Sequence, residues 1–162
     1  MSGEGADGII LSTMHQVPII LGSASDTPTV EPTKAILAEF GISGEIIVCS
    51  AHRNPRQLVK LIEEWEKKTD VFIACAGKAA ALPGVIAAHT AKPVIGIPGK
   101  TSDLGGLDSL YSIVQMPSGV PVACVAINGG QNAGILAAQM IAIRDPDVAE
   151  KLRQYKLKLG QS

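Results

Sequence analysis

The chain has 162 residues, of which 46% are hydrophobic and 18% are charged, and its formal net charge is −1. This composition is typical of one compact domain with a proper core, and it excludes a disordered chain. Lysine and arginine are scattered rather than gathered in a basic stripe, which argues against a nucleic-acid partner. No apolar run approaches the roughly 18 residues that a membrane-spanning helix needs, so we expect no membrane partner.

The N-terminal residues 1–16 have neither the basic start nor the long apolar stretch of a signal peptide. We interpret them as a flexible arm, in which His15 has no role. The three cysteines (Cys49, Cys75 and Cys124) lie in apolar runs without metal-ligand spacing. Reduced, buried thiols of this kind predict a cytoplasmic protein.

The first half of the chain reads as two strands that are each followed by a helix. The first predicted strand, 17–21, leads through the loop GSASDTPT into a helix that Pro32 either starts or bends. The second predicted strand, 45–50, is followed by Asn54–Pro55, a pair typical of a helix cap and its first turn. The helix that these residues open is predicted to run through QLVKLIEEWEKK.

The second half repeats this alternation. The remaining strands are predicted at 71–77, 93–98 and 120–127, with short helices at LPGVIAAHTA and SLYSIVQM and an Ala-rich helix after the last strand. Residues 146–162 predict a helical tail that packs on the domain or on a neighbouring subunit. Nearly continuous apolar strands that alternate with helices predict a parallel, doubly wound α/β sheet with both faces covered, in one catalytic domain at 17–145.

Ligands of such sheets bind beyond the carboxyl ends of the strands. The residues predicted at those ends are mostly glycines, hydroxyls, amides and cations. They are Gly22, Ser23, Ser25 and Asp26 after the first strand, Ser50, His52 and Arg53 after the second, Gly77 and Lys78 after the third, Gly99, Lys100, Thr101 and Ser102 after the fourth, and Asn128, Gly129, Gly130, Gln131 and Asn132 after the fifth. This chemistry suits a phosphorylated small molecule.

Two of these residues suggest more than ordinary structure. A histidine at the carboxyl end of a strand, such as His52, can move protons near neutral pH, whereas His89 lies on a short helix and has no predicted role. Lys78 follows an apolar strand and would lose hydration without an obvious partner, which favours a functional role over simple exposure to solvent. By contrast, the SxSD segment at 23–26 could be only a helix cap, and Arg53 only a solvated charge.

Five segments resemble one family in their order and spacing: GSASD, SAHRNP, AGKAAALPG, DSLYSIVQMPSGVPV and NAGILAAQ. This is the purE-type family of N5-carboxyaminoimidazole ribonucleotide mutases and phosphoribosylaminoimidazole carboxylase catalytic subunits, from purine biosynthesis. The resemblance covers about residues 17–157. It implies a three-layer α/β/α sandwich with a flavodoxin-like sheet, assembled as a homo-octamer. It also implies that CO2 moves between two atoms of a ribonucleotide without metal, ATP or organic cofactor.

The resemblance also implies roles for individual residues. His52 would be the general acid and base. Ser23, Ser25 and Asp26 would hold phosphate and ribose, and Ser50 and Arg53 the phosphate end. The substrate-binding residues that it implies are Gly22, Ser23, Ser25, Asp26, Ser50, Arg53, Gly77, Lys78, Ala79 and Leu82.

The sequence departs from the mutase pattern at several positions. The mutase pattern expected after the third strand is AGGAAHLPG. This chain has AGKAAALPG there, with Lys78 and Ala81 in place of a glycine and a histidine. The pattern of the direct carboxylases, AGRSNALSG, has a cation and an alanine at the same two positions. Those enzymes tend to carry SAHK, however, where this chain has SAHR. The loop GKTSDLGG also differs from the expected QSKALSG, adding Lys100 and Asp103.

Several functions therefore stay open, with the mutase preferred. The others are a direct carboxylase that uses CO2, a paralogue that carboxylates or decarboxylates another aromatic ribotide, and a catalytically silent assembly subunit. A flavodoxin-like binding module is disfavoured, because none of the five aromatic residues (one Trp, two Tyr and two Phe) lies in the strand-end loops.

Overall fold

The computed structural model describes residues 14–161, so most of the predicted arm at 1–16 lies outside the described residues. Strands and helices alternate along the chain, and one additional helix ends it. They are β1 (Gln16–Leu21), α1 (Thr27–Glu39), β2 (Ser43–Val48), α2 (Pro55–Glu66), β3 (Phe72–Ala76), α3 (Leu82–His89), β4 (Val94–Pro98), α4 (Leu107–Val114), β5 (Ala123–Cys124), α5 (Gly130–Ala142) and α6 (Pro146–Leu159). None of the helices in this part of the chain is long and apolar enough to cross a membrane.

The five strands form one sheet in the order β2-β1-β3-β4-β5, and every pair is parallel. The predicted doubly wound, flavodoxin-like sheet is confirmed. The strand order reverses between β1 and β3, which makes this the switch point where such folds bind ligands. Leu21 pairs with Val48 on one side and with Cys75 on the other, so the carboxyl ends of β1, β2 and β3 lie at one level.

Helices cover both faces of the sheet. On one face α1, α5 and α6 pack their apolar residues, among them Leu37 and Ile141, against the sheet. On the other face α2, α3 and α4 do the same with residues such as Leu58 and Ile86. Each fully buried Leu or Ile stabilises the fold by about 1.5–3 kcal/mol, and together these side chains fix the three layers.

Helices α1 and α5 approach closely through glycine. A Cβ atom at Gly134 would contact the Ile36 side chain and would lie 2.9 Å from the Thr33 carbonyl oxygen. The buried Thr33 hydroxyl donates a 2.7 Å hydrogen bond to the carbonyl oxygen of Gly130. The two helices are therefore held by direct backbone contact as well as by side-chain packing.

Some predicted boundaries differ from the structure. The helix expected to start or bend at Pro32 begins at Thr27, with Pro28 in its first turn, so Pro32 lies inside it. The fifth strand, predicted over 120–127, pairs only at Ala123–Cys124. Pro121 carries no amide hydrogen for a ladder, which helps to explain the short pairing. The predicted helix start at Asn54–Pro55 is confirmed.

The sequence analysis gave His15 no role, and the structure corrects this. Its Nδ1 lies 3.2 Å from the Asp70 carboxylate, and its Nε2 lies 2.8 Å from that of Asp145. Arg144 also pairs with Asp70. Asp145 in turn accepts hydrogen bonds from the backbone of Asp147 and Val148 in the first turn of α6. The start of β1 is thus tied to the C-terminal helix.

Candidate functional site

A cavity of about 430 Å3 opens at the switch point, beyond the carboxyl ends of β1, β2 and β3. Its walls come mainly from the loops after these three strands, together with the first residue of α3 and Thr101 after β4. The lining residues are Gly22, Ser23, Ser25, Asp26, Ser50, Ala51, His52, Arg53, Ala76, Gly77, Lys78, Ala79, Ala80, Ala81, Leu82 and Thr101. All eleven residues assigned to the site in the sequence analysis lie on this cavity, although their roles remain predictions.

Part of the predicted strand-end set lies elsewhere. After β4 only Thr101 reaches the cavity, and residues 128–132 after β5 do not line it. The Asn128 side chain instead accepts a 2.9 Å hydrogen bond from the Lys100 backbone amide. Strand β5 is two strands away from the switch point, which explains why its loop supports the β4 loop and not the cavity.

Alanine side chains that the sequence analysis did not assign to the site complete the wall. They are Ala51, Ala76, Ala80 and Ala81. A methyl group has no chemistry of its own that a sequence pattern could reveal. With Ala79 and Leu82 they form the apolar part of the cavity wall. Leu82 is the first residue of α3, and the N-terminal end of a helix favours a bound anion.

The loop after β1 presents two hydroxyls and a carboxyl group. The Ser25 hydroxyl donates a 2.9 Å hydrogen bond to the Ser23 oxygen, which also caps the short 3-10 turn Ala24–Asp26. Burial raises the pKa of the Asp26 carboxyl above its usual value, and a hydrogen bond with the Ser23 backbone offsets part of this. Burial, with the charge of Asp26, also raises the pKa of Cys75 to about 12, so this thiol stays protonated.

The loop after β2 carries the histidine and the arginine. The Ser50 hydroxyl accepts a 3.3 Å hydrogen bond from the Arg53 backbone amide, which closes a turn just before α2. The Arg53 guanidinium donates a 3.3 Å hydrogen bond to the Gly22 carbonyl oxygen. His52 is exposed and lines the cavity with Ser50 and Arg53. No residue in 14–161 hydrogen-bonds the His52 ring, so a ligand can reach it.

The loop after β3 approaches the loop after β4. A Cβ atom at Gly77 would lie 3.0 Å from the Thr101 methyl group, so glycine allows this approach. Next to it, the Lys78 ammonium lies 3.0 Å from the Asp103 carboxylate. This hydrogen bond raises the pKa of Lys78 and lowers that of Asp103.

These contacts correct one argument of the sequence analysis. Lys78 was expected to lose hydration without an obvious partner. In the folded chain its side chain is 72% exposed and is paired with Asp103. Desolvation therefore gives no reason to assign Lys78 a function, and any role has to follow from its position on the cavity.

The arrangement offers two kinds of chemistry. The hydroxyls of Ser23 and Ser25 and the guanidinium of Arg53 are donors that suit a phosphate group. A histidine beside them can exchange a proton with a bound molecule. Within the described part of the chain, no group of three or more His, Cys, Asp or Glu side chains is placed to hold a metal ion.

The chain is similar to known proteins over most of its length. The profile of the family described as AIR carboxylase matches residues 16–162. A Thermotoga maritima protein named N5-carboxyaminoimidazole ribonucleotide mutase is 54% identical over 144 residues, which are 88% of this chain and 84% of the relative. A Pyrococcus horikoshii protein of the same name is 51% identical over 140 residues, covering 86% of this chain and 79% of the relative.

Among solved structures, the crystal structure of Treponema denticola PurE matches with a TM-score of 0.83. The two are 30% identical, and the match covers 90% of this chain and 92% of that one.

Proposed function

The chain belongs to the AIR carboxylase family, and we propose that it moves CO2 from the exocyclic amine to the neighbouring ring carbon of aminoimidazole ribonucleotide. In this function it is an N5-carboxyaminoimidazole ribonucleotide mutase, an isomerase of purine biosynthesis. The observation that carries the proposal is that His52 lies in one cavity with the hydroxyl and guanidinium donors of the SxSD and SAHR segments.

His52 has the chemistry that this rearrangement requires. The bond between nitrogen and the carboxyl carbon breaks, the amine nitrogen gains a proton, and CO2 is released. The ring carbon then attacks CO2, a carbon–carbon bond forms, and that ring carbon must lose its proton to restore aromaticity. One imidazole that reaches both atoms can deliver the first proton and remove the second, so the histidine ends in the state in which it began.

The neighbouring donors would hold the ribotide during these steps. Ser50 and Arg53 lie beside His52 on the same loop, and Ser23, Ser25 and Asp26 lie on the adjacent one. Anchoring the phosphate at this loop would orient the imidazole ring of the substrate relative to His52. Fixed orientation of this kind lowers the barrier by removing the entropy cost of bringing the groups together.

Two assays of the ring-carboxylated product test the proposal. One supplies freshly made N-carboxylated ribotide, and the other supplies the uncarboxylated ribotide with bicarbonate. We expect rapid product from the first and little from the second beyond the uncatalysed rate. Folded protein that makes product in neither assay would contradict the proposal and favour a different ribotide.

Direct carboxylation with CO2 is the second candidate. The observation that favours it is that Lys78 and Ala81, two of the departures from the mutase pattern, both lie on the cavity. Rapid product from the uncarboxylated ribotide at modest bicarbonate concentration would assign this reaction instead.

A homo-oligomer is part of the proposal, with the octamer as the form that the resemblance implies. Support comes from a row of exposed apolar side chains on and just before α4: Leu104, Leu107, Tyr111 and Val114, which are 60%, 50%, 60% and 48% exposed. Within α4 the spacing of Leu107, Tyr111 and Val114 puts these three side chains on one face, where they would be buried against another subunit. Light scattering that gives the mass of a single chain would contradict this. The cytoplasmic location remains a prediction.

A further inference from the structure

The Lys78–Asp103 ion pair bridges two loops at the rim of the cavity. Lys78 follows β3 and lines the cavity, whereas Asp103 follows β4 and does not. Their side chains are 72% and 62% exposed, and the ammonium lies 3.0 Å from the carboxylate. Exposed ion pairs of this kind contribute little to stability, so a competing anion can replace the aspartate at small cost.

The backbone conformation at Lys78 favours a functional role for its side chain. Its φ angle is +54°, in the left-handed region that non-glycine residues seldom adopt. Glycine would accept this conformation without strain, yet the chain has a residue with a long, charged side chain there. Strained residues of this type cluster at active sites and ligand-binding positions.

The sheet separates the two cationic side chains of the cavity. Arg53 follows β2 and Lys78 follows β3, and β1 lies between these two strands. Neighbouring strands are about 4.8 Å apart, so the two loops begin about 10 Å apart. Two cations on separate loops of one cavity suit a small ligand with one anionic group at each end. The carboxylated aminoimidazole ribotide is such a ligand, with a phosphate at one end and a carboxylate at the other.

We propose that Lys78 is a specificity-determining residue that binds the carboxylate of the substrate. Asp103 is its exchangeable partner, which stays paired with the Lys78 ammonium until the substrate displaces it. This inference rests on the proposed function and deepens it. A carboxylate of the ligand replaces a carboxylate of the protein, so the lysine keeps one partner throughout. Arg53 binds the phosphate, which is present in both carboxylated and uncarboxylated ribotides, and Lys78 tells the two apart.

Calorimetric titration of the assembled protein with three ligands tests this, in a His52→Asn background that keeps the carboxylated ribotide from being converted. The ligands are ring-carboxylated aminoimidazole ribotide, the uncarboxylated ribotide, and ribose 5-phosphate. We expect Lys78→Ala to weaken binding of the carboxylated ribotide about tenfold, as suits a charge-assisted hydrogen bond at an exposed position. Binding of the other two ligands should change less than about twofold. Alanine keeps a Cβ atom, so the backbone strain at this position is retained.

Three further variants sharpen the test. Lys78→Arg should keep most of the affinity for the carboxylated ribotide. Lys100→Ala, which removes an exposed cation from the adjacent loop but not from the cavity wall, should change nothing. Asp103→Asn should strengthen binding of the carboxylated ribotide about two- to fivefold because it removes the competing charge.

The possible failures are distinguishable. Equal weakening of all three ligands by Lys78→Ala, or no weakening of any, would overturn the role of Lys78 and leave the proposed function in place. Weaker binding of the carboxylated ribotide by Asp103→Asn would overturn the exchange. Wild-type protein that binds neither ribotide would overturn the proposed function, and this inference with it.

Discussion

The Arg53 guanidinium donates a 3.3 Å hydrogen bond to the carbonyl oxygen of Gly22, and this bond joins the loop after β2 to the loop after β1. Both residues are on the cavity wall. The bond is exposed and single, so it contributes little to the free energy of unfolding. Its consequence is that the guanidinium is already at the cavity before a ligand arrives.

We therefore expect Arg53→Ala to weaken ribotide affinity by roughly tenfold to a hundredfold, because a charge-assisted hydrogen bond to phosphate is lost. Titration calorimetry with the uncarboxylated ribotide measures this. Arg56→Ala is the matched control, since Arg56 is an exposed cation in the first turn of α2 that does not line the cavity. A lower turnover rate with unchanged affinity would remove Arg53 from the phosphate site.

His52→Asn should lower the turnover rate by about 10²–10⁴-fold, because asparagine cannot exchange a proton, while ribotide affinity stays nearly unchanged. Steady-state rates and calorimetric titration on the same preparation separate the two quantities. His89→Asn, at the exposed end of α3, is the control and should leave both unchanged. Turnover that survives in His52→Asn would exclude the proton-transfer role.

We expect the stability of the fold to depend on pH through the carboxyl group of Asp145. Hydrogen bonds from the backbone of Val148 and from His15 lower the pKa of this carboxyl below its ordinary value of 3.8. A group whose pKa is lower in the folded state stabilises that state above the unfolded pKa. That contribution is lost as the pH falls through the folded value, so the effect lies below about pH 4.

Asp145→Asn should consequently reduce the free energy of unfolding at pH 7 by less than about 1 kcal/mol, because asparagine can still cap α6 and the lost charge is partly screened by solvent. The gap from the wild type should shrink as the pH falls below about 4. Urea unfolding at neutral and acidic pH measures both. Asp147→Asn removes an exposed carboxylate from the same first turn of α6 but leaves the cap in place, so it is the control and should lose less stability at pH 7. A gap for Asp145→Asn that is equal at both pH values would contradict the linkage.

Gly134→Ala should destabilise the fold by about 1–3 kcal/mol, because the added methyl group would meet Ile36 and the backbone of Thr33. The helices α1 and α5 would have to separate to admit it. The midpoint of urea unfolding measures the loss. Gly160→Ala is the control, since its Cβ atom would find no neighbour closer than 3.7 Å. Equal stability of the two variants would show that the α1–α5 contact can relax.

The parallel sheet could be predicted from local patterns, because each pattern has a local cause. Strands β3 and β4 are buried on both faces, so their residues are apolar without interruption. The pair Asn54–Pro55 starts α2 because proline suits the first turn of a helix. Parallel strands bring their carboxyl ends to one edge, so the order of residues along the chain was enough to place nine of the eleven assigned residues at one cavity, and the family resemblance added Ala79 and Leu82.

The partners of individual charges could not be predicted in this way. His15 lies between carboxylates that are 55 and 130 positions away in the chain, and Lys78 meets an aspartate 25 positions away. Periodicity reports whether a residue faces the core or the solvent, which depends on its own element. Which two exposed side chains meet depends on the paths of loops and on how distant helices pack. These contacts form only when the chain is folded. In the folded chain His15, which had no predicted role, bonds two carboxylates, and Lys78, which had no predicted partner, forms an ion pair.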